Sequence, residues 1–99
     1  MVETRAGLDA LDDILGVEGV DGTFVGPYDL SLSLGQKSPL EAPVVSAIAS
    51  VIDRTRSRDR ISGIFTGNRE LAGLLPAVDL LGVDTDASAL RAGLKRLFT

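Results

Sequence analysis

Two carboxylates follow apolar runs in this sequence and could together hold a metal ion. Glu3 comes directly after Val2, and Asp29 lies in "FVGPYDLS", 26 residues further along the chain. Carboxylate oxygens are the ligands that hard cations such as Mg²⁺ and Mn²⁺ prefer. Each residue also has an ordinary interpretation. Asp29 could cap a short helix in "LSLSL", and Glu3 could be a loop acid at a frayed chain start.

The composition narrows the chemistry that is available. The 99 residues include no cysteine and no histidine. This excludes a thiolate zinc site, a disulfide scaffold and a cysteine nucleophile, and it removes the commonest general base. Any metal would therefore be bound by oxygen, which favours Mg²⁺ or Mn²⁺. The lack of cysteine also favours a cytoplasmic location, though only weakly.

The charge pattern bears on the class of partner. The formal net charge is −4, which argues against a nucleic-acid or anionic-membrane surface. One basic run, "DRTRSRDR" at residues 53–60, interleaves its arginines with aspartates at the predicted end of a helix. Arginines there favour the helix dipole, so we predict a solvated helix end rather than an anion site. No apolar stretch approaches the roughly 20 residues that span a bilayer.

The apolar periodicity and the turn residues predict an α/β protein. Three strands are expected, at Gly22 to Val25, Ile61 to Gly67 and Val78 to Asp84. The predicted helices are one from the Thr4 cap to near Gly16, one from Pro43 to about Ser57, one from the Asn68 cap to Pro76, and one from Asp86, as N-cap, to Phe98. Residues 26–43 form a long loop in which Leu30 to Leu34 could make one helical turn. This alternation is typical of a parallel sheet.

Three parallel strands cannot close a barrel and leave two open edges, so the chain either pairs with another chain or is part of a larger fold. The carboxyl ends of parallel strands meet at one rim. We therefore expect Glu3, Asp29, Thr66 and Asp84 to lie at the same rim. Thr66 and Asp84 are more typical of cap or turn residues than of catalytic groups, and Phe65 is more typical of the core.

Three segments resemble the HpcH/HpaI aldolases, which are metal-dependent class II pyruvate aldolases on a (β/α)₈ barrel. The segments are "MVETRAGLDALDDILGVEGVDGTFVGPYDLSLSLG", "SGIFTG" and "GVDTDASALRAGLKRL", and together they extend from Val2 to Leu97. The resemblance implies a partial (β/α)₈ TIM barrel with the last three parallel strands and their helices. Residues 1–99 would be a single C-terminal segment from which the N-terminal strands are absent.

The resemblance also implies roles for individual residues. Glu3 and Asp29 would bind the divalent metal, and the backbone amides of Tyr28 and Asp29 would receive the substrate carboxylate. Phe65 would lie near the aldehyde. The reaction would be reversible cleavage of a 2-oxo-4-hydroxy acid to pyruvate, or a related 2-oxo acid, and an aldehyde. The 2-oxo acid would chelate the metal, which would stabilise the charge that develops when the C–C bond breaks.

Two groups that the family uses have no counterpart in this sequence. The histidine acid/base and the arginine that grips the substrate belong to the first half of the family fold. We therefore assign no catalytic residue to this chain and predict no aldolase activity for it alone. Three possibilities stay open: a truncated product, one chain of a split aldolase completed by an N-terminal half, and a non-enzymatic βα module that forms a homo-oligomer.

Overall fold

The computed structural model describes residues 1–99 and contains one sheet flanked by helices. The elements, in chain order, are α1 Arg5–Asp9, α2 Leu11–Leu15, β1 Gly22–Val25, α3 Pro27–Ser33, α4 Ala42–Ser57, β2 Ile61–Phe65, α5 Arg69–Gly73, β3 Leu80–Gly82 and α6 Asp86–Phe98. The three strands are parallel and lie in the order β1-β2-β3. The predicted α/β class with a parallel sheet is confirmed.

On one face of the sheet, phenylalanine rings lie over glycines of the neighbouring strand. Phe24 is the register partner of Gly63, and Phe65 is the register partner of Gly82. A Cβ added at Gly63 would lie 2.7 Å from the Phe24 ring, and one at Gly82 would lie 3.0 Å from the Phe65 ring. Only glycine leaves room for both rings, so this face carries an aromatic surface.

A fragment of a further strand lies on the outer side of β1. Val2 forms an isolated parallel bridge with Val25. The Val2 amide donates to the Phe24 carbonyl at 2.8 Å, and the Gly26 amide donates to the Val2 carbonyl at 3.0 Å. Because these bonds fix the backbone of Val2 against β1, the side chain of the next residue, Glu3, is placed at the carboxyl end of the sheet.

The opposite face of the sheet packs against the helices and forms the core. The core residues are aliphatic and fully or almost fully buried: Val2, Leu11, Leu15, Val25, Leu30, Val44, Ile48, Val51, Ile52, Ile64 and Leu71. Burial of each such side chain contributes about 1.5–3 kcal/mol. Because α4 supplies four of these residues from one stripe, it is the main helix that holds the sheet.

A hydroxyl pair links α4 to β1 inside this core. Thr55 is completely buried and Thr23 is 9% exposed, and their hydroxyl oxygens lie 2.8 Å apart. The Thr55 hydroxyl donates its single proton to the Val51 carbonyl at 2.7 Å. The Thr23 hydroxyl must therefore donate to Thr55, and both groups are satisfied without water.

The last strand and the last helix are mostly exposed. Helix α6 has no buried residue, and its apolar side chains Leu90, Leu94, Leu97 and Phe98 are 47–83% exposed. The radius of gyration is 14.8 Å, compared with about 13 Å expected for a compact domain of 100 residues.

None of the helices has the length and apolar character needed to cross a bilayer.

Several predicted helix ends are confirmed. Thr4 caps α1 by accepting from the Gly7 amide at 3.0 Å, and Asn68 caps α5 by accepting from the Leu71 amide at 2.7 Å. The helix that begins near Pro43 also ends at Ser57, as expected.

Other helix predictions were wrong in detail. The single helix expected up to Gly16 is divided at Ala10, whose φ of −91° and ψ of 6° interrupt α1 and α2. Asp86 is the first residue of α6 and not its N-cap, because Thr85 accepts from the Ser88 amide at 3.2 Å. Helix α3 begins earlier than the turn expected at Leu30, since Pro27 has the φ of a first helical residue.

The basic run at the end of α4 is mostly exposed, as predicted, and two of its arginines also contact neighbouring segments. Arg54 forms an ion pair with Asp12 of α2 at 2.9 Å, and Arg56 donates to the Ala77 carbonyl at 2.7 Å. The run therefore ties the end of α4 to neighbouring segments. The anion site that we had considered less favourable finds no support in these contacts.

Candidate functional site

Glu3 and Asp29 line the same two cavities at the carboxyl end of the sheet. The first cavity has a volume of about 380 Å³ and includes Leu32 and Ser33 in its wall. The second, of about 330 Å³, is lined by both carboxylates together with Met1, Phe24, Gly26, Pro27, Tyr28 and Phe65. Glu3 is half-buried and Asp29 is exposed, so both are accessible to a ligand from solvent.

The Glu3 carboxylate lies close to the backbone of Gly26. A Cβ added at Gly26 would lie 3.0 Å from Glu3 Oε2 and 3.3 Å from Glu3 Cβ. The backbone of Gly26 has φ −101° and ψ 93°, which any residue can adopt. Glycine is therefore needed here for the space that it leaves to the carboxylate, and not for its conformational freedom.

Asp29 is the third residue of α3, and its position follows from the residues before it. Gly26 is the N-cap and Pro27 the first helical residue, and the cap makes no side-chain hydrogen bond. The alternative in which Asp29 caps a short helix is therefore wrong. The carboxylate lies on the first turn, where it faces the cavities shared with Glu3.

The donor set fits a hard divalent cation. Both ion pairs of the structure involve Asp12, so neither Glu3 nor Asp29 has a cationic partner. No group of three or more Asp, Glu, His or Cys side chains comes together anywhere in the chain. Mg²⁺ and Mn²⁺ are held by one or two protein carboxylates and take their other ligands from water or substrate.

Tyr28 connects α3 with the segment that follows β2. Its hydroxyl donates to the Thr66 carbonyl at 3.3 Å and accepts from Asn68 Nδ2 at 3.4 Å. A Cβ at Gly67 would lie 2.9 Å from this hydroxyl and 3.3 Å from the Phe65 ring. The tips of Tyr28 and Phe65 therefore meet over Gly67. Phe65 is half-buried and lines the 330 Å³ cavity, so the expectation that it belongs to the core was wrong. Its place near the aldehyde stays a prediction.

Thr66 and Asp84 lie at the same end of the sheet but line a different cavity, of about 400 Å³. The Thr66 hydroxyl donates to the Gly82 carbonyl at 3.3 Å and links β2 to β3. Asp84 Oδ1 accepts from the Thr85 amide at 2.8 Å, which is the turn role expected for it. The four predicted rim residues therefore lie in two pairs at separate cavities, Glu3 with Asp29 and Thr66 with Asp84.

A perturbed carboxylate lies away from these cavities. Asp79 Oδ2 accepts from the amide and the hydroxyl of Ser62, at 2.9 and 3.2 Å. These hydrogen bonds, with a smaller contribution from Arg56, hold the pKa of Asp79 below its usual range. Because Ser62 is at the start of β2, Asp79 serves to join the strands at the end opposite Glu3.

Ser33 was not among the site residues predicted from the sequence. Its Oγ accepts from the backbone amide of Arg5 at 2.9 Å, and it lines the 380 Å³ cavity with both carboxylates. The only available signal was its position four residues after Asp29, which places the two on one helix face. The contact with Arg5 could not be inferred from that spacing.

The family model described as HpcH/HpaI aldolase/citrate lyase matches residues 1–86. The chain belongs to the HpcH/HpaI aldolase/citrate lyase family. Among HpcH/HpaI relatives, a hydroxypyruvate/pyruvate aldolase of Rhizorhabdus wittichii is 41% identical over 98% of the chain and 41% of its own length. A 4-hydroxy-2-oxo-heptane-1,7-dioate aldolase of Escherichia coli is 38% identical over 92% of the chain and 37% of its own length.

Solved structures of this family share the fold. An HpcH/HpaI aldolase/citrate lyase family protein from Burkholderia cenocepacia J2315 superposes with a TM-score of 0.81 and 31% identity, over 99% of the chain and 41% of that protein. An HpcH/HpaI aldolase from Desulfitobacterium hafniense DCB-2 superposes with a TM-score of 0.77 and 28% identity, over 96% of the chain and 40% of that protein. The chain thus spans about two fifths of these TIM-barrel proteins, which confirms the partial-barrel fold class.

Proposed function

We propose that this chain supplies the metal-binding and 2-oxo-acid-binding part of an aldolase. The complete site would reversibly cleave a 2-oxo-4-hydroxy acid to pyruvate, or a related 2-oxo acid, and an aldehyde. The observation that carries the proposal is the pair Glu3 and Asp29, two carboxylates without cationic partners that line the same cavities. The names of the relatives support the reaction class.

Glu3 and Asp29 would hold a Mg²⁺ or Mn²⁺ ion. Such an ion supplies a Lewis acid that stabilises negative charge on the 2-oxo acid. The remaining polar groups of the site belong to the backbone of α3. The amides of Tyr28 and Asp29 are in the first helical turn, where N–H groups have no acceptor within the helix, and they would donate to the substrate carboxylate.

The aromatic surface next to the carboxylates would receive the aldehyde. Phe65 and Phe24 line the 330 Å³ cavity with Glu3 and Asp29, and the Tyr28 ring closes its side. An apolar wall excludes water from the region where charge develops, which strengthens electrostatic interactions there. Phe65 is placed to contact the carbon chain of the aldehyde rather than its oxygen, because its ring offers no hydrogen bond.

The histidine acid/base that the resemblance implies would come from outside residues 1–99, because this sequence has no histidine. We therefore propose that residues 1–99 act as the C-terminal segment of a barrel. The completing half is then either part of the same polypeptide or a second chain. The competing proposal is a self-associating βα module, which the exposed apolar side chains of α6 and the open edge at β3 favour.

The experiment compares pyruvate release from a 2-oxo-4-hydroxy acid in three samples with Mn²⁺. The samples are the 99-residue chain, an N-terminal half chain of a relative, and their mixture. Activity in the mixture alone, abolished by Glu3→Gln, is the expected result. Robust metal-dependent pyruvate release by the 99-residue chain would refute the assignment. A monodisperse oligomer with no activity in any sample would favour the module.

A further inference from the structure

We propose that Ser33 is a positioning residue that sets the relative placement of the Glu3 and Asp29 carboxylates. The inference rests on the proposed function, because it assigns how the two metal-binding side chains are held in one site. It extends that function to a residue that touches neither the metal nor the substrate.

The structural basis is one hydrogen bond between the two segments that carry the carboxylates. Ser33 Oγ accepts from the Arg5 amide at 2.9 Å, across 28 residues of sequence. Arg5 is the first residue of α1, two residues after Glu3. Ser33 is the last residue of α3, four residues after Asp29 and on the same helix face. The bond therefore joins the end of the Glu3 segment to the helix that bears Asp29.

Other interactions hold the backbone before Glu3 and the first turn of α1, but the hydrogen bond of Ser33 is the one that joins α1 to α3. On the β1 side, the Val2 bridge holds the backbone before Glu3. The Thr4 hydroxyl is occupied as the cap of α1, where it accepts from the Gly7 amide. Glu3 and Asp29 have no cationic partner that would hold them. All three residues, Glu3, Asp29 and Ser33, line the 380 Å³ cavity.

Loss of the Ser33 hydroxyl should affect the site more than the fold. Both Ser33 and Arg5 are exposed, so water can replace the lost acceptor. The core described above lies on the other side of the sheet and does not include Ser33. Without this bond, α3 stays packed through its buried residues Pro27 and Leu30, but its last residue is no longer linked to the start of α1.

The test measures Mn²⁺ binding to the 99-residue chain. Tyr28 is the single tyrosine and there is no tryptophan, so quenching of tyrosine fluorescence by paramagnetic Mn²⁺ reports on the residue next to Asp29. Ser33→Ala should weaken Mn²⁺ binding about three- to tenfold, at or below the low end of the loss seen when a group bonded to a metal ligand is removed, because Ser33 acts through the Arg5 backbone. The urea midpoint should change little. Ser33→Thr, which keeps the hydroxyl, should restore the affinity.

Ser57→Ala is the matched control, because the Ser57 hydroxyl makes an exposed hydrogen bond to the Arg54 carbonyl at 2.8 Å, away from the cavity. This variant should bind Mn²⁺ like the unchanged chain. Equal Mn²⁺ affinity of Ser33→Ala and Ser57→Ala would overturn the proposal, as would failure of Ser33→Thr to restore binding. If Glu3→Gln and Asp29→Asn weaken binding but Ser33→Ala does not, the metal site stands and only the Ser33 role fails. If neither carboxylate variant weakens binding, both proposals fail.

Discussion

Replacement of Gly26 by alanine tests the metal site with the smallest possible change. The new methyl group would lie 3.0 Å from Glu3 Oε2, 3.3 Å from Glu3 Cβ and 3.5 Å from Met1 Cε. The backbone at Gly26 already has a conformation that alanine adopts. The methyl group therefore acts on the Glu3 side chain, which must move by a few tenths of an ångström because contacts of 3.0–3.4 Å are tighter than nine in ten real Cβ contacts.

Gly26→Ala should affect Mn²⁺ binding more than it affects the free energy of unfolding. Alanine is a poorer N-cap than glycine, at a cost of about 1 kcal/mol, but it also restricts the unfolded chain, which offsets about 0.4–1 kcal/mol. The free energy of unfolding should therefore change by less than about 1 kcal/mol. Metal-binding side chains must stay within about 0.5 Å of their productive positions. A displaced Glu3 carboxylate should therefore weaken Mn²⁺ binding about three- to tenfold.

The assay combines an Mn²⁺ titration, read by electron paramagnetic resonance of the free ion, with urea unfolding read by circular dichroism. Gly73→Ala is the control, because a Cβ at Gly73 meets nothing within 4 Å. It should leave Mn²⁺ binding unchanged. The reasoning is refuted if Gly26→Ala binds Mn²⁺ as tightly as Gly73→Ala while both remain folded.

Two further predictions concern stability. Thr55→Val should lower the free energy of unfolding, measured in urea, by about 1–3 kcal/mol, because it leaves the buried Thr23 hydroxyl without a partner. The double variant Thr23→Val, Thr55→Val should lose less, because neither hydroxyl is then left unpaired. A larger loss in the double variant would contradict this. Because the folded-state pKa of Asp79 is lowered, its stabilisation is present above the ordinary aspartate value of about 3.9 and is lost as pH falls through the folded-state value. Asp79→Asn should therefore reduce the loss of stability on acidification below pH 4 in thermal melts, and an unchanged acid profile would count against the Ser62 contacts.

Local patterns predicted most of the fold. The apolar stripe of α4 and the capping side chains of Thr4 and Asn68 act within one or two helical turns, so the sequence contains them. The break at Ala10 was not predictable from propensity, because alanine is the strongest helix former. It arises where α1 and α2 turn to pack Leu11 and Leu15 into the core.

The site was predictable in part. Strand ends indicated Glu3 and Asp29, and the structure brings both to shared cavities. Thr66 and Asp84 also follow strand ends and were predicted at the same rim, yet these residues line a separate cavity. Which way a side chain points after the strand depends on the following loop, and local pattern does not contain that information. The Ser33 contact with Arg5 is also a long-range one.

The most direct test of the central claim is Mn²⁺ binding to the unchanged chain and to the Glu3→Gln, Asp29→Asn double variant. We expect one Mn²⁺ site in the unchanged chain, competed by Mg²⁺, and its loss in the double variant with the urea midpoint retained. Asp12→Asn, which removes a surface carboxylate paired with Arg54, should bind Mn²⁺ normally. Equal Mn²⁺ binding by the unchanged chain and the folded double variant would contradict the account.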